Sequence, residues 1–426
     1  MAKQRVWKNY LVAALSTGFM MLTAATAFAD STELTLDDSI AMALKNNPSM
    51  QMALRDQEKA MFGIDEAKAG KLPSLSLGAS GTRGDSGLAE IGENYNTSLK
   101  LSVPLYTGGQ LEGSIDQAKL NASAAQQGVV KTEEQLRLDT TTAYYNVLQT
   151  SNLVKVNQAT VDSLNEHLKN VQAQYEAGTV AKSDVLRSEV ELANAQQNLI
   201  KAQNNYDVAV ASLNNVIGAP MDTVYIYKDE LSYAPYDQTL EESIAMALNK
   251  RPEIVQSRYS VEAAKSGVQV AESGRRPSVS LSGAQSWSGP DFPGDNKNWS
   301  VGVTANWNVF DSGLTSAKIK QAQTAVDKAN EQDRQIRSAI ELEVRQAYLS
   351  MQEAEKRIET ARIAVNKADE DLKIAKVKYS AGAGTNLDVM DAQVGLTQAQ
   401  TNYTQALYDF NANKAKLAKA VALRVQ

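Results

Sequence analysis

Two stretches early in the chain alternate strictly between apolar and polar residues. Along 95–105, Tyr95, Thr97, Leu99, Leu101, Val103 and Leu105 oppose Asn96, Ser98, Lys100 and Ser102, and along 74–81 Leu75, Leu77 and Ala79 oppose Ser74, Ser76 and Ser80. A period of two sends successive side chains to opposite faces of a strand, which predicts strands over about 74–82 and 95–105. A second pair is predicted at about 278–287 and 299–309. There Val279, Leu281 and Trp287, then Trp299, Val301, Val303, Trp307 and Val309, oppose Ser300, Thr304, Asn306 and Asn308. Runs of about ten residues suit strands that cross a bilayer. The segments between them, Arg83–Asn94 and Ser288–Asn298, are rich in Gly, Asp, Asn and Pro, as hairpin tips are.

After each strand pair the period lengthens to that of a helix. From Ile115 the apolar or small positions run Ala118, Ala122, Ala125, Val129, Thr132, Leu136, Thr140, Ala143, Val147, Thr150 and Val154, then Val161, Leu164, Leu168, Val171 and Tyr175. This 3,4 spacing is a coiled-coil seam. No proline interrupts 110–177, so the predicted helix is roughly 100 Å long at 1.5 Å per residue. A glycine-bearing turn leads to a return helix over about 183–217, with large residues every seventh position (Val185, Leu192, Leu199, Tyr206, Leu213) and small ones three places on (Ser188, Ala195, Ala202, Ala209). The same plan recurs as a long helix over about 314–381 and a return helix over about 387–421. Such helices carry too few bulky residues for a thick core and suit a thin wall. His167 falls between seam positions and reads as part of a solvated face, like most charges along these helices.

The recurrence is a tandem repeat. TLDDSIAMALKNNP (35–48) returns as TLEESIAMALNKRP (239–252), an offset of 204 residues. The same offset, without a gap, aligns LPSLSLGAS (72–80) with RPSVSLSGA (276–284), PLYTGG (104–109) with NVFDSG (308–313), and YEAGTVAKSDV (175–185) with YSAGAGTNLDV (379–389). The chain divides into a first repeat (30–222), an equatorial linker (223–238) with its tyrosines and prolines, and a second repeat (239–426). Four strands per chain are too few to close a membrane barrel, and an open sheet in lipid leaves unpaired backbone groups costing several kcal/mol each. Closure therefore has to come from further copies, with the Ser- and Asn-rich face toward water.

The N-terminus supports export. Lys3, Arg5 and Lys8 precede an apolar run from Tyr10 to about Ala25, and Ala27-Phe28-Ala29 offers a small-x-small cleavage site, predicting a signal peptide over 1–29. No other stretch has the apolar length of a membrane helix. The 426 residues carry a formal charge of −6, which argues against a nucleic-acid binder, and no cysteine, which excludes disulfides, thiolate metal sites and a lipidated cysteine anchor. A single histidine leaves no histidine metal cluster, and no catalytic set converges, so the chain does not read as an enzyme and needs no cofactor. Arg83-Gly84-Asp85 reads as a chance turn sequence. A secreted coiled-coil structural protein of the adhesin-stalk type is the rival reading, but a stalk has no use for two lipid-length hairpins.

The duplicated plan, the strand-to-helix motifs PLYTGG and NVFDSG, and the tip sequences Tyr175-x-x-Gly178…Asp184-Val185-Leu186 and Tyr379-x-x-Gly382…Asp388-Val389-Met390-Asp391 resemble the TolC-type outer-membrane efflux proteins over residues 30–426. The resemblance implies a homotrimeric α+β membrane protein: a barrel in the outer membrane of a Gram-negative-type cell, with four strands from each protomer, continued by a coiled-coil tunnel in the periplasm. It also implies a periplasmic adaptor and an inner-membrane transporter as partners. The chain would then be a passive gated exit duct for small molecules or proteins, in efflux or type I secretion. Gate residues carried over are Asp388 and Asp391 as acidic rings and a candidate cation site, with Tyr379 reaching Asp184 and Ser183. Crowded carboxylates imply coupled titration and raised pKa values. The latch arginine of the family is Gly384 here, leaving Asn386 or Lys182 to substitute. Gly178, Thr179 and Val180, with Gly382, Ala383 and Gly384, are the implied adaptor contacts, while Tyr95, Trp287, Trp299 and Trp307 form an aromatic belt in outer-membrane lipid.

Overall fold

The computed structural model describes residues 33–84 and 92–423. The signal segment and Asp85 of the Arg-Gly-Asp triplet lie outside the described residues. Each repeat opens with two helices that the expected plan lacks. Thr35 starts α1 (Leu36–Asn46) with a reciprocal capping box to Asp38, and Thr239 starts the equivalent α5 (Leu240–Lys250) with Glu242. Proline at the first helical position then starts α2 (Pro48–Ala69) and α6 (Pro252–Glu272), where a missing N–H costs nothing. Two-residue strands β1 (Glu33–Leu34) and β4 (Ile226–Tyr227) pair in parallel and fix the linker to the first repeat.

The main sheet is an antiparallel meander in the order β2 (Ser74–Gly84), β3 (Gly92–Tyr106), β5 (Ser278–Gly289), β6 (Asn296–Asn306). β3 joins the repeats by pairing with β5, slipping once between Pro104 and Tyr106. β2 and β6 are the outer strands, and among the described residues each has one edge with no partner. β6 ends at Asn306, so Trp307 and Val309, expected inside the strand, lie just past it.

Glycine in the left-handed region opens both long helices, α3 (Gln110–Glu176) behind Gly109 at φ 94° and α7 (Leu314–Ser380) behind Gly313 at φ 88°. Each is 67 residues, about 100 Å at 1.5 Å per residue. The return helices α4 (Lys182–Ile217) and α8 (Asn386–Ala420) cover the distal half, and α2 and α6 cover the half nearer the sheet. α4 ends where α1 meets α2, with Asn47 Nδ2 donating to the Val216 carbonyl at 2.8 Å.

The interior is three clusters strung along the helices instead of one core. Val147, Leu213 and Ile217 anchor the first at the waist. Val344, Phe410 and Leu417 anchor its counterpart in the second repeat, and Val171, Val185 and Val389 anchor the tip. Burying each such side chain contributes about 1.5–3 kcal/mol. Along α4 the whole small column, Ser188, Ala195, Ala202 and Ala209, is buried, letting α4 lie close on α3, while of the large column only Val185 and Leu213 are. Tyr175, expected to extend the α3 seam, is 43% exposed, whereas its repeat equivalent Tyr379 is buried.

Candidate functional site

The distal tip is built from two turns of one design. Gly178 (φ 74°) and Gly382 (φ 70°) end α3 and α7 in the left-handed region. Thr179 N–H donates to the Gln174 carbonyl at 2.9 Å, and Ala383 N–H to that of Lys378 at 2.8 Å. These five-residue closures satisfy carbonyls the helix leaves open. Thr179, Gly382 and Ala383 are exposed at the apex, and Val180 packs against the tip cluster. A Cβ at Gly384 would stand 3.1 Å from Lys378 Cβ, so the backbone is drawn tight at the position where the family pattern has arginine.

Beneath the turns a polar node ties all four helices. Asn386, the first residue of α8, donates from Nδ2 to the Asp184 carbonyl (3.0 Å) and reaches Ser188 Oγ (3.1 Å) on α4, while its Oδ1 lies 2.6 Å from His167 Nε2 on α3. With Oδ1 as acceptor, Nε2 carries the imidazole proton. His167 packs edge-on against the Tyr379 ring of α7 at 5.1 Å between centroids. The histidine is 5% exposed, which overturns its assignment to a solvated face. Burial pushes its pKa down, opposed by the hydrogen bond it donates to Asn386 and reinforced by Lys376.

Two gate expectations meet a different geometry in the protomer. The Tyr379 hydroxyl is buried without a hydrogen-bond partner, so it does not reach Asp184 or Ser183, and Asp184 enters the node through its backbone carbonyl. Asp388 closes a capping box: its Oδ2 accepts from Thr385 N–H at 2.7 Å and from the Thr385 hydroxyl at 2.8 Å. Those bonds hold the Asp388 carboxyl below its ordinary range in the single chain. Asp388 and Asp391 are both exposed on the first turns of α8. Lys182, the other candidate for the missing arginine, sits 5.4 Å from the Tyr175 ring centroid.

At the other end of the molecule the sheet register sorts the strands into two unlike faces. Residues directly opposite one another share a face. One row reads Leu77, Leu99, Gln285, Trp299, and the next Leu75, Leu101, Gly283, Val301. The rows between read Ser76, Lys100, Ala284, Ser300 and Gly78, Ser98, Ser286, Asn298. The apolar face is left bare: Leu77 is 73% exposed, Trp299 77% and Val301 68%. Tyr95, Trp287 and Trp299 stand on this face near the hairpin ends, Tyr95 against Phe292 at 6.2 Å. Trp307 stands near the helical end, its indole N–H on the Arg275 carbonyl. Eight residue steps, all but the last within β6, separate Trp299 from Trp307, about 26 Å at 3.3 Å per residue, against an apolar band of about 25 Å in outer-membrane barrels.

A profile of the family described as "Outer membrane efflux protein" matches residues 39–219 and again 243–423. The chain belongs to the outer membrane efflux protein family. It is similar to the outer membrane protein TolC of Escherichia coli strain K12, 25% identical over 394 residues, which span 88% of this chain and 80% of that protein. It is also similar to the alkaline protease secretion protein AprF of Pseudomonas aeruginosa, 25% identical over 94% of this chain and 86% of the relative. The fold matches the crystal structure of the Campylobacter jejuni CmeC outer membrane channel with a TM-score of 0.78 at 19% identity, covering 91% of this chain and 85% of the other. The two profile matches fall one on each repeat. Among the described residues no helix is long and apolar enough to cross a membrane, and no group of three or more His, Cys, Asp or Glu residues could hold a metal ion.

One cluster of this efflux-family chain went unseen in the sequence. Arg251, at the joint of α5 and α6, is 2% exposed; it holds Glu253 at 2.8 Å and also pairs with Glu343 on α7. Lys419 at the end of α8 takes the other Glu343 oxygen at 3.0 Å. In the first repeat the equivalent of Arg251 is Asn47, which caps α2 without any charge. The signal was a lone arginine before a helix-starting proline, in a position where its repeat partner is neutral.

Proposed function

We propose that three copies of this chain close one barrel across the outer membrane of a Gram-negative-type cell and continue it as a helical tunnel in the periplasm. The duct is passive, with energy supplied by an inner-membrane transporter through a periplasmic adaptor. The observation that carries this reading is the sheet: one bare apolar face, one face of Ser, Asn and Thr, and two outer strands with unpaired edges, joined without a break to 100 Å-class helices. In lipid such a sheet is tolerable only when neighbours complete it. Tyr95, Trp287 and Trp299 then sit at one lipid boundary and Trp307 at the other.

At the distal tip, Asp388 and Asp391 of each copy ring the periplasmic entrance, favouring cations and offering a site for a multivalent one. Asn386 performs the latching for which Gly384 has no side chain, joining the two hairpins through Asp184 and Ser188. The turns at Gly178, Thr179, Val180 and at Gly382, Ala383, Gly384 meet the adaptor. One relative is named for the secretion of an alkaline protease and the family for efflux, so the cargo is small molecules or proteins. The test is heat-modifiable trimer migration of the outer-membrane fraction, followed by gene deletion and a drug-susceptibility panel. Recovery of a soluble monomer that never enters lipid overturns the reading.

A further inference from the structure

The offset of 204 residues converts contacts inside the chain into an address for contacts between chains. Within the protomer, α8 of the second hairpin lies on α3 of the first, and four side-chain pairs set their register. Gln149 donates to Gln405 at 2.6 Å, the Thr160 and Thr397 hydroxyls meet at 2.8 Å, Ser163 donates to Gln393 at 2.7 Å, and His167 meets Asn386 at 2.6 Å. No pair is an ion pair. α7 is the repeat equivalent of α3, and α4 of α8. In a closed ring, therefore, α7 of one copy meets α4 of the next as α3 meets α8.

Moving each pair by the offset gives Glu353 with Lys201, Ala364 with Ala193, Lys367 with Glu189, and Asp371 with Lys182. Three become opposite charges and the fourth a pair of small apolar residues. All eight side chains are exposed in the lone chain. The packing surface follows the same rule. Met390, Thr404 and Ala412 of α8 are 7%, 7% and 4% exposed, whereas their α4 equivalents Leu186, Ile200 and Val208 are bare at 51%, 66% and 57%. On the facing side, Leu349 and Ile363 of α7 are bare at 53% and 52%. The sheet obeys it as well: the Leu101–Gly283 pairing inside the chain maps to Ala305 on the free edge of β6 and Ala79 on the free edge of β2.

We propose that α4 of one copy packs on α7 of the next copy in the register of α8 on α3, aligned by Lys201–Glu353, Glu189–Lys367 and Lys182–Asp371 pairs between copies. This rests on the closed ring proposed above. The pairs displace only local contacts on exposed helix surface: Glu353 holds Arg357 one turn away at 2.6 Å, Lys367 holds Glu370 at 3.1 Å, and Lys182 lies over the Tyr175 ring. A face that meets a different face on its neighbour is heterologous, and such interfaces generate rings when the rotation closes.

The chain has no cysteine, so disulfides can read the register directly. Thr160→Cys/Thr397→Cys should oxidise within one chain at unchanged mass, reporting the internal seam. Ala193→Cys/Ala364→Cys in one chain should oxidise between chains, moving outer-membrane material into covalent dimer and trimer bands. Trimers that migrate as such but never cross-link through 193 and 364, while 160 and 397 close, overturn the register and leave the ring standing. A chain that stays monomeric sinks the ring and the register together. Independently, Lys201→Glu should lower the temperature at which the trimer dissociates in detergent, and Lys201→Glu/Glu353→Lys should restore it. A double variant no better than the single overturns the pairing.

Discussion

Replacing Arg251 by methionine isolates the buried charge at the waist. The arginine side chain is 3% exposed and that of Glu253 13%, so the substitution strands a carboxylate with little water to turn to. Glu343 suffers less, being 41% exposed and keeping Lys419 at 3.0 Å. Removing one partner of a buried pair costs about 3–5 kcal/mol. With one of the two carboxylates still compensated, the lower end applies, about 3 kcal/mol per chain. At roughly 2 °C per kcal/mol for a long chain, the thermal midpoint should fall by about 6 °C. The sign of its pH dependence is fixed by the carboxyls. Burial works to raise both Glu253 and Glu343, but Arg251 outweighs it and holds both below the ordinary glutamate range. The native state therefore binds fewer protons than the unfolded one; the stabilisation is full above about pH 4.5 and is lost as pH falls through the native values. In Arg251→Met the stranded Glu253 is relieved by protonation, so the deficit against the wild type should narrow from neutral pH toward about pH 4. Circular dichroism melts of the detergent-purified protein measure this. Arg251→Met/Glu253→Met should recover most of the loss, because an apolar pair replaces a buried ionic one at little net cost. A melting difference that is constant with pH, or a double variant as weak as the single, refutes the electrostatic account.

Asp388→Ala/Asp391→Ala should abolish cation preference and multivalent-cation block in planar bilayers; unchanged selectivity removes these carboxylates from the pore. Burial lowers the His167 pKa, so the tip binds fewer protons folded than unfolded and should loosen as pH falls from about 7 to 5; hydrogen exchange at the start of α8 reads this, and His167→Gln should flatten it. Thr385→Ala removes the cap on α8 at about 1 kcal/mol, visible as faster exchange in its first turn with little change in the global melt. Val303→Lys, on the bare apolar face midway between Trp299 and Trp307, should cost about 2–4 kcal/mol at mid-membrane and deplete outer-membrane trimer, whereas Ser282→Lys on the polar face should not; equal effects would reverse the faces.

What the sequence made legible was whatever repeats over many residues. Strict alternation identified the two faces of the sheet, because a one-residue slip would invert every side chain. The helical seam survived because it recurs over dozens of residues and twice over. α2 escaped because it has no fully buried residue, and Met52, Met61 and Phe62 point largely into open space; without a clean stripe there is no period to read. Its start was nevertheless written in Asn47-Pro48, as that of α1 was in Thr35-x-x-Asp38. His167 was misplaced for a related reason. The seam marks contacts of α3 with its own return helix, whereas His167 is buried against α8 and α7 from the other repeat, a direction the local period does not encode.

The contrast between the two seams has a physical logic. The α3–α8 seam forms as the chain folds, and its hydroxyls and amides are never again offered to water; uncharged groups meet there without the desolvation that burying ions demands. The α7–α4 surfaces have to remain soluble between folding and assembly, and exposed Glu353, Lys367, Asp371, Lys182, Glu189 and Lys201 keep them so. Opposite signs on the two surfaces then steer copies together and oppose misregister, since sliding one helix by a turn sets Lys201 away from Glu353 and brings like charges near. The same arrangement makes the seam between copies the one that salt weakens, because exposed pairs are screened over about 8 Å at physiological ionic strength. High salt should therefore lower the temperature of trimer dissociation in detergent without altering the melting of the helices, separating the joint between chains from the joints within them.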